Sequence, residues 1–72
     1  MQYYERLKEV REDLDLTQRE AAEAIGIRQQ QLSKYETGEQ EMTVSKLKEL
    51  CKYYGVSSDY ILGLRKGLKW YR

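Results

Sequence analysis

Residues 16–38 read "LTQREAAEAIGIRQQQLSKYETG", two helix-like runs hinged on a single glycine. Thr17 opens the first run with Glu20 three residues on, the spacing of a capping box in which each side chain satisfies the other's free backbone N–H. Leu16 before the cap can staple onto Ala21. Ala21, Ala22 and Ile25 then form a narrow apolar face of small residues, which lets another helix approach closely, and Gly26 supplies the positive φ that turns the chain. The turn is only Gly26, Ile27 and Arg28. A helix from about Gln29 to Glu36 follows, with Leu32 and Tyr35 inward and Gln29, Gln30, Ser33 and Lys34 outside. A small-faced helix, a three-residue glycine turn and a polar-faced helix predict a helix-turn-helix, whose second helix can enter the major groove of DNA.

Three consecutive glutamines, Gln29 to Gln31, sharpen that reading. A carboxamide offers two donor hydrogens and an acceptor without charge, so it makes a poor core residue, a weak counter-ion and a poor proton-transfer catalyst. At the start of a helix in the groove it can accept from adenine N6 and donate to adenine N7, a match that discriminates by about 1–3 kcal/mol. The plainer reading is a solvated helix face. The adjoining turn and Lys34 favour base reading for Gln29 and Gln30, whereas Gln31 keeps more of the plainer character.

Outward from this unit the periodicity stays helical. Tyr3, Leu7, Val10 and Leu14 recur at spacings of three and four, with charges between them, and predict an amphipathic helix ending near Asp13 or Leu14. Thr43 caps a fourth helix with Val44, Leu47, Leu50, Cys51 and Tyr54 on one face before Gly55. Ser57 caps a fifth, through Tyr60, Ile61 and Leu62 to Gly63. The expected fold is therefore an all-α, compact bundle of five short helices. Its domain would span residues 1–63, and residues 64–72 would form a basic, aromatic tail in which Leu64, Leu68, Trp70 and Tyr71 could serve dimerisation.

Composition narrows the function. A chain of 72 residues buries only about 60% of the surface its unfolded form exposes, which leaves no room for a large active-site cavity. It has no histidine and one cysteine, Cys51, so neither a zinc site nor a His-activated nucleophile can be assembled, and no internal disulfide can form. Catalysis, metal, cofactor and small-molecule substrate are accordingly not expected. The charged N-terminal stretch lacks the apolar run of a signal peptide, and no segment suits a membrane span, so a cytoplasmic location is expected. Net charge is +1, with 9 Lys and Arg against 12 Asp and Glu in residues 1–63 and four bases with no acid in the tail. That excludes a uniformly basic nucleic-acid coat.

The segments "LTQREAAEAIGI", "QLSKYETG" and "GVSSDYILG", in this order and spacing, resemble the lambda-repressor-like helix-turn-helix family, the phage repressor and Cro type also called the xenobiotic-response-element family. The resemblance covers residues 3–63. It implies that Gln18, at the start of the second helix, is a phosphate ligand, and that Gln29, Gln30, Ser33 and Lys34 read bases. Arg28 and Gln31 would lean toward the sugar-phosphate edge. Backbone N–H groups around Thr43 and Val44 would meet a phosphate, and Arg11 with Glu36 would form a structural ion pair.

The chain departs from the family's pattern at three places. Glu39, Gln40 and Glu41 stand where many members carry a basic loop, and should weaken non-specific affinity. Arg28 replaces a frequent capping Ser or Thr. Asp15 stands where glycine is frequent, though Asp tolerates the left-handed conformation. Taken together, the sequence predicts a sequence-specific double-stranded DNA-binding transcriptional regulator, a repressor by expectation, acting as a homodimer on a palindromic operator. The rival is a protein-interaction module, such as an antitoxin or a regulator controlled by a partner protein, which the acidic loop and near-neutral charge favour.

Overall fold

The computed structural model describes residues 1–64. Its helices run α1 Tyr3–Asp13, α2 Gln18–Ala24, α3 Gln29–Thr37, α4 Val44–Tyr54 and α5 Ser58–Leu62. Helix α3 packs against both α1 and α2, and α5 against α1 and α4. Residues 65–72 lie outside the described part of the chain, and with them the tail residues Leu68, Trp70 and Tyr71. No helix among the described residues is long and apolar enough to cross a membrane.

The helix starts are built from local side-chain chemistry. The Glu20 N–H donates to Thr17 Oγ1 at 3.0 Å and the Thr17 N–H to Glu20 Oε1 at 2.9 Å, closing the reciprocal box. Hydrogen bonding from Thr17, its backbone N–H first and then its side chain, holds the Glu20 carboxyl below its ordinary range. The Lys46 N–H donates to Thr43 Oγ1 and the Asp59 N–H to Ser57 Oγ. At α1 the Gln2 N–H donates to Glu5 Oε1 at 2.8 Å. Only α3 starts bare: Arg28 is its N-cap residue and no side chain caps it.

Several helix ends share one closure. After α1, α2, α4 and α5 a residue two or three past the helix end sends its N–H back five residues, from Leu16 to Arg11, Ile27 to Ala22, Val56 to Cys51 and Leu64 to Asp59. This six-to-one bond is the Schellman closure, and it requires a left-handed residue just before the donor. Asp15, with φ 56°, fills that place after α1, where the family favours glycine.

The core joins all five helices. Leu7 and Val10 from α1, Ala21 and Ala22 from α2, Leu32 from α3, Leu50 from α4 and Ile61 from α5 are at most 1% exposed. Met42 and Val56, which lie in links and carry no helical periodicity, are buried with them. Two expected core residues are not in it. Val44 is 81% exposed because it begins α4 where no other helix covers that turn, and Leu14 is 39% exposed because α1 has ended one residue earlier. Cys51 is a buried, packed thiol, and burial pushes it up to about 11.

Gly38 ends α3 at φ 78°, and a β-carbon there would run into the Tyr4 ring of α1. Gly26 has a similar φ of 72° but open space around it. Gly26→Ala should therefore cost about 1–2 kcal/mol, the left-handed penalty alone. Gly38→Ala should cost more, and Tyr4→Ala should remove the excess in the double variant. Urea midpoints of the four chains measure this, and additive losses would show that the ring yields freely.

Candidate nucleic-acid interface

Helices α2 and α3 form a rigid corner because small side chains meet at its inside. Ala21 and Ala22 are fully buried against α3, and Leu32, Tyr35 and Glu36 turn the inner side of α3 to the bundle. The opposite side is left for solvent. Arg28, Gln29, Gln30 and Lys34 are exposed, while Gln31 and Ser33 are half-buried. Gln31 Nε2 donates to Gln40 Oε1 at 3.1 Å, so this third glutamine braces the link after α3 and is not free like the first two.

Behind this face lies a shared carboxylate. Arg11 Nε donates to Glu36 Oε2 at 2.7 Å and its NH2 to Glu36 Oε1 at 3.1 Å, while NH1 donates to the Leu16 carbonyl at 2.7 Å. Both residues are buried, Arg11 at 8% and Glu36 at 4% exposed. The hydrogen bond to Glu36 raises the guanidinium pKa further, against a smaller opposing effect of burial. Tyr54 of α4 is close enough for burial first and then the Glu36 charge to push its hydroxyl up. Gln18, half-buried at the start of α2, adds a third donor, with Nε2 at 2.9 Å from Glu36 Oε1. No local spacing in the sequence signals this last bond, since 18 residues separate its partners.

The start of α4 is tied to the same corner. Thr43 is exposed, with its hydroxyl engaged in capping. Lys46, one turn on, reaches from α4 to donate to the Ile25 carbonyl at the end of α2, at 3.2 Å, and pairs with Glu49 at 3.1 Å. The structure thus brings Gln18, Arg11 and Glu36 together, sets Arg28, Gln29 and Gln30 at the open tip, and places Thr43 on a separate helix end fixed through Lys46. Glu39, Gln40 and Glu41 are exposed on the link between α3 and α4. Among the described residues, no group of His, Cys, Asp and Glu could hold a metal ion.

The helix-turn-helix family model matches residues 7–61. The chain is 43% identical over 58 residues to the HTH-type transcriptional regulator ImmR of Bacillus subtilis (strain 168), covering 81% of this chain and 46% of that protein. It is 40% identical over 62 residues to the uncharacterized HTH-type transcriptional regulator YobD of the same organism, covering 86% of this chain and 55% of that protein. The chain spans about half the length of these curated relatives. Its fold matches the P22 c2 repressor protein, solved in complex with synthetic operator 9T in the presence of Tl+. The TM-score is 0.79, with 27% identity, covering 86% of this chain and 94% of that one.

Removing one partner of a buried pair strands the other charge, so Glu36→Ala should destabilise the domain by about 3–5 kcal/mol. Replacing both partners, Arg11→Met with Glu36→Leu, removes the stranded charge and should cost no more than about 1 kcal/mol. Urea unfolding of both variants measures the contrast. A Glu36→Ala loss under about 0.5 kcal/mol, the range of surface changes, would show the pair to be solvated in practice.

Proposed function

The chain belongs to the lambda-repressor-like helix-turn-helix family, and on that premise we propose that it is a sequence-specific double-stranded DNA-binding transcriptional regulator, a repressor, that inserts α3 into the major groove. The observation that carries this reading is the open tip of α3, where Arg28, Gln29 and Gln30 are exposed while Leu32, Tyr35 and Glu36 anchor the same helix from behind. Neutral amides on a fixed helix suit base edges better than phosphates.

In this proposal Gln29 and Gln30 read bases from the tip, and Ser33 and Lys34 read one turn further along. Arg28 and Gln31 lie toward the sugar-phosphate edge. Gln18 and the backbone at Thr43 hold phosphates, the latter favoured by the dipole of α4. One such helix covers few base pairs, so two copies acting as a homodimer on a palindromic operator complete the site. Leu64, 69% exposed after α5, belongs to the segment proposed to join them. The exposed Glu39 and Glu41 favour a second reading, in which the chain chiefly holds a partner protein.

Selection from a random pool of duplexes tests the proposal. The expected consensus is palindromic, with half-site centres about 10–10.5 base pairs apart. On the selected duplex, Gln29→Ala or Gln30→Ala should cost about 1–3 kcal/mol and flatten preference at one or two base pairs per half-site. Equal loss on every single-base variant would mean that these glutamines hold the backbone and read nothing. No enrichment at moderate salt would move the assignment to the protein-binding reading.

A further inference from the structure

We propose that Glu36 is a positioning residue for DNA binding: it holds the Gln18 carboxamide with its nitrogen turned inward, leaving the second hydrogen of that nitrogen for a backbone phosphate. The inference rests on the reading of the α2–α3 face as a DNA-binding surface and adds how one of its contacts is prepared before DNA arrives.

A carboxamide has nearly the same shape when its last torsion is reversed, so an unrestrained glutamine offers oxygen or nitrogen to a phosphate with little preference. Oxygen against phosphate is repulsive. The Glu36 carboxylate removes the ambiguity because, when ionised, it only accepts. Its Oε1 takes Gln18 Nε2 at 2.9 Å, and reversing the amide would set oxygen against oxygen. Nε2 carries two hydrogens, of which the carboxylate takes one. The anchor is 4% exposed and the amide it holds is half-buried, so a fixed interior group controls a side chain that reaches the surface.

Arg11 makes the arrangement tolerable beside an anionic backbone. A lone carboxylate there would repel phosphate, but Nε and NH2 of the guanidinium neutralise it. Nη1 gives a hydrogen to the Leu16 carbonyl, which ties the side chain inward. Arg11 is buried and serves the interface through Glu36, and Gln18, the more exposed member of the network, is the one placed to touch DNA.

Four chains test this: wild type, Gln18→Ala, the paired Arg11→Met and Glu36→Leu variant, and the triple variant. Each is checked by circular dichroism and urea unfolding, then titrated at one salt concentration against the duplex returned by selection and against a random-sequence duplex. A phosphate contact is blind to sequence, so in the wild-type background Gln18→Ala should weaken both complexes about five- to tenfold. In the paired background the same change should cost less than about twofold, because the amide there is already unrestrained.

A spectroscopic readout stands apart from DNA. In wild type, one side-chain amide proton of Gln18 should lie downfield of the ordinary glutamine range, and it should return in the paired variant. If the paired variant does not unfold cooperatively, the wild-type spectrum decides alone, and ordinary Gln18 amide shifts overturn the proposal. Equal losses from Gln18→Ala in both backgrounds overturn it too. So does a wild-type loss under about twofold on a tightly bound selected duplex, which sinks the positioning role and leaves DNA binding standing. Failure of the wild-type chain to bind either duplex sinks both.

Discussion

The structure depends on one charge pair that has nowhere else to go. Arg11 lies near the end of α1 and Glu36 in the last turn of α3, and their two-point contact leaves both almost wholly out of water. Taking either charge out of water alone costs several kcal/mol, so any docking of α3 that separates them is strongly penalised. The pair therefore selects among packings that apolar burial by itself would leave close in energy. Through NH1 on Leu16 it also fixes the link into α2, and through Gln18 it fixes the first residue of that helix. The corner is thus held by this carboxylate as well as by the small apolar faces that meet at its inside.

That corner separates two kinds of surface. Its inner side is alanine, leucine and tyrosine packed around the buried Glu36 carboxylate and its Arg11 partner, and its outer side is amide and cation on backbone that the inner side supports. A side chain on such a support loses little further freedom when it meets a ligand, which favours discrimination between ligands over adaptability. The acidic link beside it acts oppositely to the cations of α3. Glu39 and Glu41 flank Gln40, whose N–H bonds back to the Lys34 carbonyl, so their negative charge offsets that end of α3 and attraction to any polyanion is moderated.

The sequence made the helices legible because their ends are written locally. Thr17 with Glu20, Thr43, Ser57 and the glycines each act within a few residues, and the structure uses them as their spacing suggests. Periodicity was a poorer guide where it had to name a neighbour. It sets Val44 and Leu14 on apolar faces, but a face is buried only if another element covers it, and these two stay exposed. Met42 and Val56 carry no such signal for the converse reason, being core residues held in links. The candidate site divides the same way. The tip of glutamines is local and readable, whereas the bonds from Gln18 to Glu36 and from Lys46 to Ile25 join residues 18 and 21 positions apart.

The tight closures at the helix ends bear on how the chain reaches this structure. Links confined to residues 14–17, 25–28, 38–43 and 55–57 keep successive helices adjacent, so most contacts close small loops at little entropic cost. Such topology belongs to chains that fold in microseconds to milliseconds. The distant ties, Arg11 to Glu36 across 25 residues and Arg6 to the Tyr60 carbonyl across 54, need the helices already assembled before they can form. Bonds of this kind, formed late, slow unfolding more than they speed folding, which would divide the kinetic roles between the long-range polar bonds and the turns.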